Sequence, residues 1–291
     1  SSSLTFGDEQ WNQVMKWALE EAIDCGIQLD FTLGKMWPIK TPNITDPDDI
    51  LSEQALFCET VDFTAAEAGD TFEVSPLPLP AEEFETDRPY ELVAITASKK
   101  NEDGSYDLDS ACVLTDLAEG LPVVRNDISG ASLRWEAPEA GDWSVFFLYR
   151  QGLTDITGEA TLADGTPAVD HFSAQATQAV LDYWDTALMG DDALRSLYET
   201  NGGSIFCDSL EIGNSLKGKA AFWTPDLLAE FEARRGYDLT PSLPAIFIEH
   251  FYSTYDHQQG QDAPSRFEFD EGSKEIRDDF LQTLTELFAE K

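Results

Sequence analysis

The sequence has no apolar run near the ~18 residues that a membrane-crossing helix needs, so a helical span is not expected. Its first residues, Ser1-Ser2-Ser3-Leu4-Thr5-Phe6-Gly7, lack the basic and apolar regions of an export signal. An initiator methionine is also missing, and the expectation is a chain that starts inside a longer gene product. Basic residues are scarce: 18 Lys and Arg stand against 56 Asp and Glu, a net charge of −38. Nucleic acid and anionic membrane surfaces are therefore poor partners, because both are held through Lys and Arg. The acidity reads as solubility or adaptation to salt, while individual carboxylates can still hold an ion.

Cysteine and histidine are scarce too. Cys25, Cys58, Cys112 and Cys207 form no Cys-x-x-Cys pair and no Cys/His cluster, so a zinc site is not expected. Four cysteines in 291 residues are too few for a disulfide scaffold. They read as small buried hydrophobes, with one bridge left open. Only His171, His250 and His257 are present, which gives Ser/His/Asp chemistry little support.

What is present is enough for a substantial core: 42% hydrophobic and 11% aromatic residues in a length that suggests about two domains. Three blocks follow from the patterning. The first, 1–56, holds a helical stripe of Trp11, Val14, Met15, Ala18, Leu19 and Ala22 with Gly26 as its stop. Ile27, Leu29, Phe31 and Leu33 then alternate with polar residues as a strand. A helix, a glycine and an immediate strand make one unit of a parallel sheet or barrel. The second block, 57–165, is β-rich. Short strands at 91–97, 110–114, 132–136 and 143–150 are separated by turn residues, and the last two should form a hairpin bearing Trp135 and Trp143. The third block, 166–291, returns to α/β alternation. It has a helix capped by Ser173, a short buried strand at 204–210, a helix starting at Thr224-Pro225-Asp226 and a last amphipathic helix from about Glu271. With two or three such strands visible, the sheet is expected to be unfinished. The fold class is α/β: a partial (β/α)8 TIM-type barrel interrupted by an antiparallel β-rich insertion.

Barrel enzymes carry their working groups at the C-terminal ends of strands. Two such ends are readable, Asp30 through Trp37 and Asp208-Ser209-Leu210-Glu211. A carboxylate at the second, beside Phe206 and Phe222, would have its pKa raised by desolvation and suit a general acid. Spacing alone also fits a solvated loop residue at Glu211.

Several segments, in order, resemble a known family. Leu33-Gly34-Lys35-Met36-Trp37-Pro38-Ile39-Lys40-Thr41-Pro42-Asn43-Ile44-Thr45 is similar to the Gly-x-x-Trp-Pro loop of glycoside hydrolase family 106, the α-L-rhamnosidases. Tyr149-Arg150-Gln151 resembles the end of that family's β insertion, and Val169-Asp170-His171-Phe172-Ser173 its Asp-His motif. Cys207-Asp208-Ser209-Leu210-Glu211-Ile212 resembles its Asp-Ser-x-Glu strand end. Trp223 through Leu228 and Arg234 through Leu239 resemble the helix behind that strand. Lys35 and Lys40 stand where the family has smaller residues, which puts the sugar preference in doubt.

The resemblance implies an inverting glycosidase that removes terminal rhamnose from plant-type glycans. Glu211 matches its general acid. The base is expected beyond Lys291, which would leave this chain alone inactive, with Asp30, Asp170 and Asp208 as alternatives within the chain. The resemblance also implies a calcium ion and an extracellular or cell-surface setting. Trp37 suits either a sugar-stacking platform or the core, and His171 either a substrate contact or a structural imidazole. Trp135 and Trp143 read as a core pair, although a non-catalytic carbohydrate-binding module is the alternative reading. A retaining barrel glycosidase is the third.

Overall fold

The computed structural model of the protein describes residues 4–35, 38–81, 84–121, 128–153, 166–207, 220–248, 265–270 and 272–291. In chain order the helices are α1 (Glu9–Cys25), α2 (Ala174–Tyr183), α3 (Asp192–Asn201), α4 (Leu227–Arg235) and α5 (Ser273–Glu290). The strands are β1 (Leu29–Thr32), β2 (Gln54–Ala66), β3 (Thr71–Val74), β4 (Tyr90–Lys99), β5 (Cys112–Val113), β6 (Ala118–Glu119), β7 (Ser132–Glu136), β8 (Gly141–Gly152), β9 (Gly202–Phe206) and β10 (Ala221–Trp223). Contacts divide the chain into two compact units. One comprises Ser1–Glu53 and Leu153–Ser215 with Lys291; the other comprises Gln54–Gly152 and Leu216–Glu290.

In the first unit, the Asp8 carboxylate caps α1 by accepting from the Trp11 amide, and Gly26 ends it at φ 67°, a conformation that favours glycine. The chain enters β1 three residues later. β1 pairs in parallel with β9, Phe31 opposite Ile205 and Thr32 opposite Phe206. Phe6, Leu19, Phe31, Val180, Trp184 and Leu188 form the centre of this unit's core. Lys16 of α1 meets Asp191, the cap of α3, at 2.7 Å. β9 is the strand expected to be buried, yet Ile205 is 49% and Phe206 50% exposed. Among the described residues β9 pairs only with β1.

The second unit is mainly antiparallel. β10-β2-β8-β4-β5 form a five-stranded sheet and β3-β7-β6 a three-stranded one. The expected β7–β8 hairpin does not form, because the two strands belong to different sheets. Around the intervening Gly141, at φ 144°, the chain enters β8 and pairs with β2 and β4 instead. Trp135 and Trp143 still meet, with ring centroids 5.2 Å apart and both rings buried. They pack between sheets rather than across a hairpin. On the other face of β8, Phe146 packs edge-on against Tyr106 and Phe267. α4 and α5 are tied through Arg234 to Glu290 and Arg235 to Glu286.

The architecture is thus mixed α/β with a large antiparallel component. The described residues contain one parallel strand pair and no closed parallel barrel. All four cysteines are free thiols, and Cys58 alone is fully buried. Burial pushes its pKa up to about 12, which keeps it protonated and unreactive.

Candidate active site

The C-terminal end of β1 is built by short-range geometry. Asp30 is exposed, and its carboxylate accepts from the Ser204 amide at 2.7 Å. Gly203 permits this approach, since a Cβ there would collide with the Asp30 carboxylate. Asp30 therefore ties β1 to β9. After β1, the Leu33 amide donates to the Phe206 carbonyl at 3.0 Å. The chain then folds back on itself, with the Lys35 amide donating to the Lys40 carbonyl at 3.0 Å. Gly34 sits inside this turn, where a Cβ would stand 2.7 Å from the Lys40 carbonyl oxygen.

The Asp170-His171 turn runs beside this loop. Its backbone is laced to both neighbours: Val169 donates to the Ile39 carbonyl, Asp170 to Leu51 and Glu53 to Ala168, each at 2.9 Å. The Lys35 ammonium donates to the Thr166 hydroxyl at 2.7 Å. Asp170 is almost fully buried, and its Oδ1 accepts from the Phe172 amide at 2.9 Å, which shapes the turn into α2. Ser173 then caps α2, as its hydroxyl accepts from the Ala176 amide.

His171 is 8% exposed, and its Nδ1 lies 2.6 Å from the Val169 carbonyl. A carbonyl only accepts, so Nδ1 carries the hydrogen and Nε2 presents a lone pair. Nε2 is buried with no hydrogen-bond partner among the described residues. Burial lowers the imidazole pKa, against the opposing pull of the Val169 bond. The side chain is therefore a neutral acceptor at neutral pH, suited to a hydroxyl donor.

Of the residues singled out from sequence, the structure brings Asp170 and His171 into one turn next to the Gly34 loop. Asp30 lies on the preceding strand and faces β9. Trp37, Asp208 and Glu211 lie outside the described residues. The patterning missed further polar groups buried in this unit: Asn12, Thr41, Ser52, Glu53 and Thr166, and it did not show that Lys40 is buried. Buried charge has no local sequence signature, since Lys and Glu are mostly exposed. Among the described residues no cluster of three His, Cys, Asp or Glu side chains could hold a metal ion. Trp135 and Trp143 are closed off in the core, so neither ring offers a face to a sugar.

Comparison with known proteins defines the class to which this chain belongs. The family described as alpha-L-rhamnosidase, glycoside hydrolase family 106, matches residues 82–249, more than half of the chain. The chain belongs to this family. The Leu33–Thr45 loop lies N-terminal to the matched span. A rhamnosidase from Novosphingobium sp. PP1Y has a similar solved structure, with a TM-score of 0.55 and 16% identity. The likeness covers 99% of this chain and 39% of that one, and at this identity it shows the fold alone. This chain thus spans well under half the length of that rhamnosidase. No curated protein matches the sequence.

Proposed function

We propose that this chain carries part of the sugar-binding and catalytic region of an inverting α-L-rhamnosidase. The observation that carries the reading is His171: a buried, neutral acceptor on the turn that leads into α2, in a chain of the alpha-L-rhamnosidase family. In this reading Nε2 accepts from a rhamnose hydroxyl. An acceptor in a water-poor site rejects a ligand that lacks the matching donor, because its own lone pair would stay unmet.

Glu211 is the proposed general acid, protonating the glycosidic oxygen as it leaves. A second carboxylate activates water on the opposite face of the sugar, about 6.5–9.5 Å away for inversion. Asp30 and Asp170 already accept backbone amide hydrogens, which supports a base from a strand outside this chain over either of them. Asp208 remains the alternative within the chain. Trp37 is the proposed stacking platform. The parallel β1–β9 pair, each strand preceded by a helix, supports a (β/α)8 barrel interrupted by a β-rich insertion. In this reading the barrel parts are 1–56 and 166–291, and the insertion is 57–165. Terminal rhamnose of plant-type glycans is the proposed substrate, met outside the cell or at its surface. A calcium ion is the proposed cofactor, on the resemblance alone. The isolated chain is expected to be inactive.

The test is Glu211→Gln in the protein that carries this chain, assayed on an aryl α-L-rhamnoside. Turnover should fall to background, and wild-type-like turnover would overturn the assignment. The anomer first released separates inversion from retention.

A further inference from the structure

Helix α2 continues into a turn of different geometry. Trp184–Leu188 form a π-helical turn, with the Met189 amide donating to the Trp184 carbonyl five residues back at 2.9 Å. Such turns are rare and occur mostly as single-turn bulges in α-helices, frequently at functional sites. The side chain set at its start is Trp184. The ring is buried beside Phe6 and Phe31. Its indole N–H donates to the Leu33 carbonyl at 2.6 Å, across 151 positions of sequence.

Leu33 is where β1 gives way to the Gly34 loop. Its amide is held by Phe206 and its carbonyl by Trp184, so the residue is fixed from both sides. The loop beyond it closes through Lys35 and Lys40, and the Ile39 carbonyl accepts from the Val169 amide. The Val169 carbonyl, in turn, holds the His171 imidazole at Nδ1. From indole to imidazole the route is hydrogen bonds joined by short stretches of covalent chain.

We infer that Trp184 is a positioning residue for His171. Its indole N–H anchors the strand-end loop, and the loop sets the Val169 peptide that orients the imidazole and aims Nε2. The consequence for sugar binding rests on the reading of His171 given above; the physical coupling does not.

The experiment replaces the indole N–H without removing the ring. One variant is Trp184→Phe. The second places the benzothienyl isostere of tryptophan at position 184, which keeps the shape and lacks only the donor. Imidazole nitrogens are observed by NMR in histidine-labelled protein, where three histidines give a resolvable set and His171→Gln identifies the signal of interest. Both variants should move the His171 signals while leaving His250 and His257 in place. In the protein that carries this chain, assayed with an aryl α-L-rhamnoside, KM should rise several-fold with a smaller change in kcat. Unchanged His171 signals in the folded isostere variant would overturn the inference. Shifted signals with an unchanged KM would uphold the positioning role and overturn only the sugar contact of His171.

Discussion

The Nδ1 of His171 stands 2.6 Å from the carbonyl oxygen of Val169, two residues earlier in the chain. This contact fixes the tautomer, and burial lowers the imidazole pKa below its ordinary value of 6.5. A lowered folded-state value means that the native state disfavours the proton. The associated stability is therefore present above about pH 6.5 and lost as pH falls through the lower, folded value. The melting temperature should drop between about pH 7 and 5 by more in wild type than in His171→Gln. Thermal melts at both pH values decide this, because His250 and His257 contribute equally to the two proteins. Identical drops would remove the pH-dependent role.

Asp191 serves two partners. Its Oδ1 caps α3 through the Ala193 and Leu194 amides, and its Oδ2 accepts from Lys16 of α1. Asp191→Ala should cost about 0.5–2 kcal/mol in urea unfolding, the usual range for a lost cap. Asp191→Asn keeps an acceptor and should cost less. The Lys16 hydrogen bond, then the Leu194 amide, hold the carboxylate below its ordinary 3.8. Its contribution is thus present at neutral pH and lost in acid, below the ordinary value. Equal losses for the two variants would assign the effect to the Lys16 pair alone.

Trp143 is 1% exposed and stacks edge-on with Trp135. Trp143→Ala should destabilise by about 3–5 kcal/mol, the range for an emptied aromatic core site. The double variant with Trp135→Ala should fall short of the sum, since touching residues share one cavity. A loss under about 1 kcal/mol in denaturant unfolding would show that the pair is not a core element.

Gly34→Ala tests the loop after β1. The new methyl would meet backbone at Lys40 and the Ile39 side chain together. Such overpacking costs about 1–3 kcal/mol. A lower melting temperature and shifted His171 imidazole signals are expected. A folded variant with neither change would mean that the loop opens without consequence.

A net charge of −38 makes self-repulsion a major opponent of folding. Salt shortens the Debye length from about 10 Å at 0.1 M to about 3 Å at 1 M. Raising KCl across that range should lift the melting temperature by several degrees, as followed by circular dichroism. A falling melting temperature would show that the Lys and Arg pairs outweigh the repulsion.

Several helix ends were legible because their signals are local. Gly26 and Ser173 mark helix ends in both sequence and structure, and Gly236 ends α4 at φ 81°. The alternation at 27–33 locates β1. The β-rich segment was legible as strands but not as sheets. β2, the longest strand, was missed because Glu59, Thr60, Asp62 and Thr64 interrupt its apolar pattern. Asp62 is tolerated through partners far along the chain, the Ser144 hydroxyl and the Lys100 ammonium. The π-helical turn at Trp184 left no pattern distinct from the helix before it.

By itself the sequence determined both ends of α1, the start of α2, the acidic character and the family, because caps, glycines, periodicity and motif order act within short windows. Only the tertiary structure decided that Trp135 and Trp143 face each other between sheets, that β9 leaves Phe206 half exposed, and that His171 is buried with its Nε2 unpartnered among the described residues. Each of these depends on which distant segment lies alongside, and chain reversals and pairing partners are chosen by packing over the whole unit.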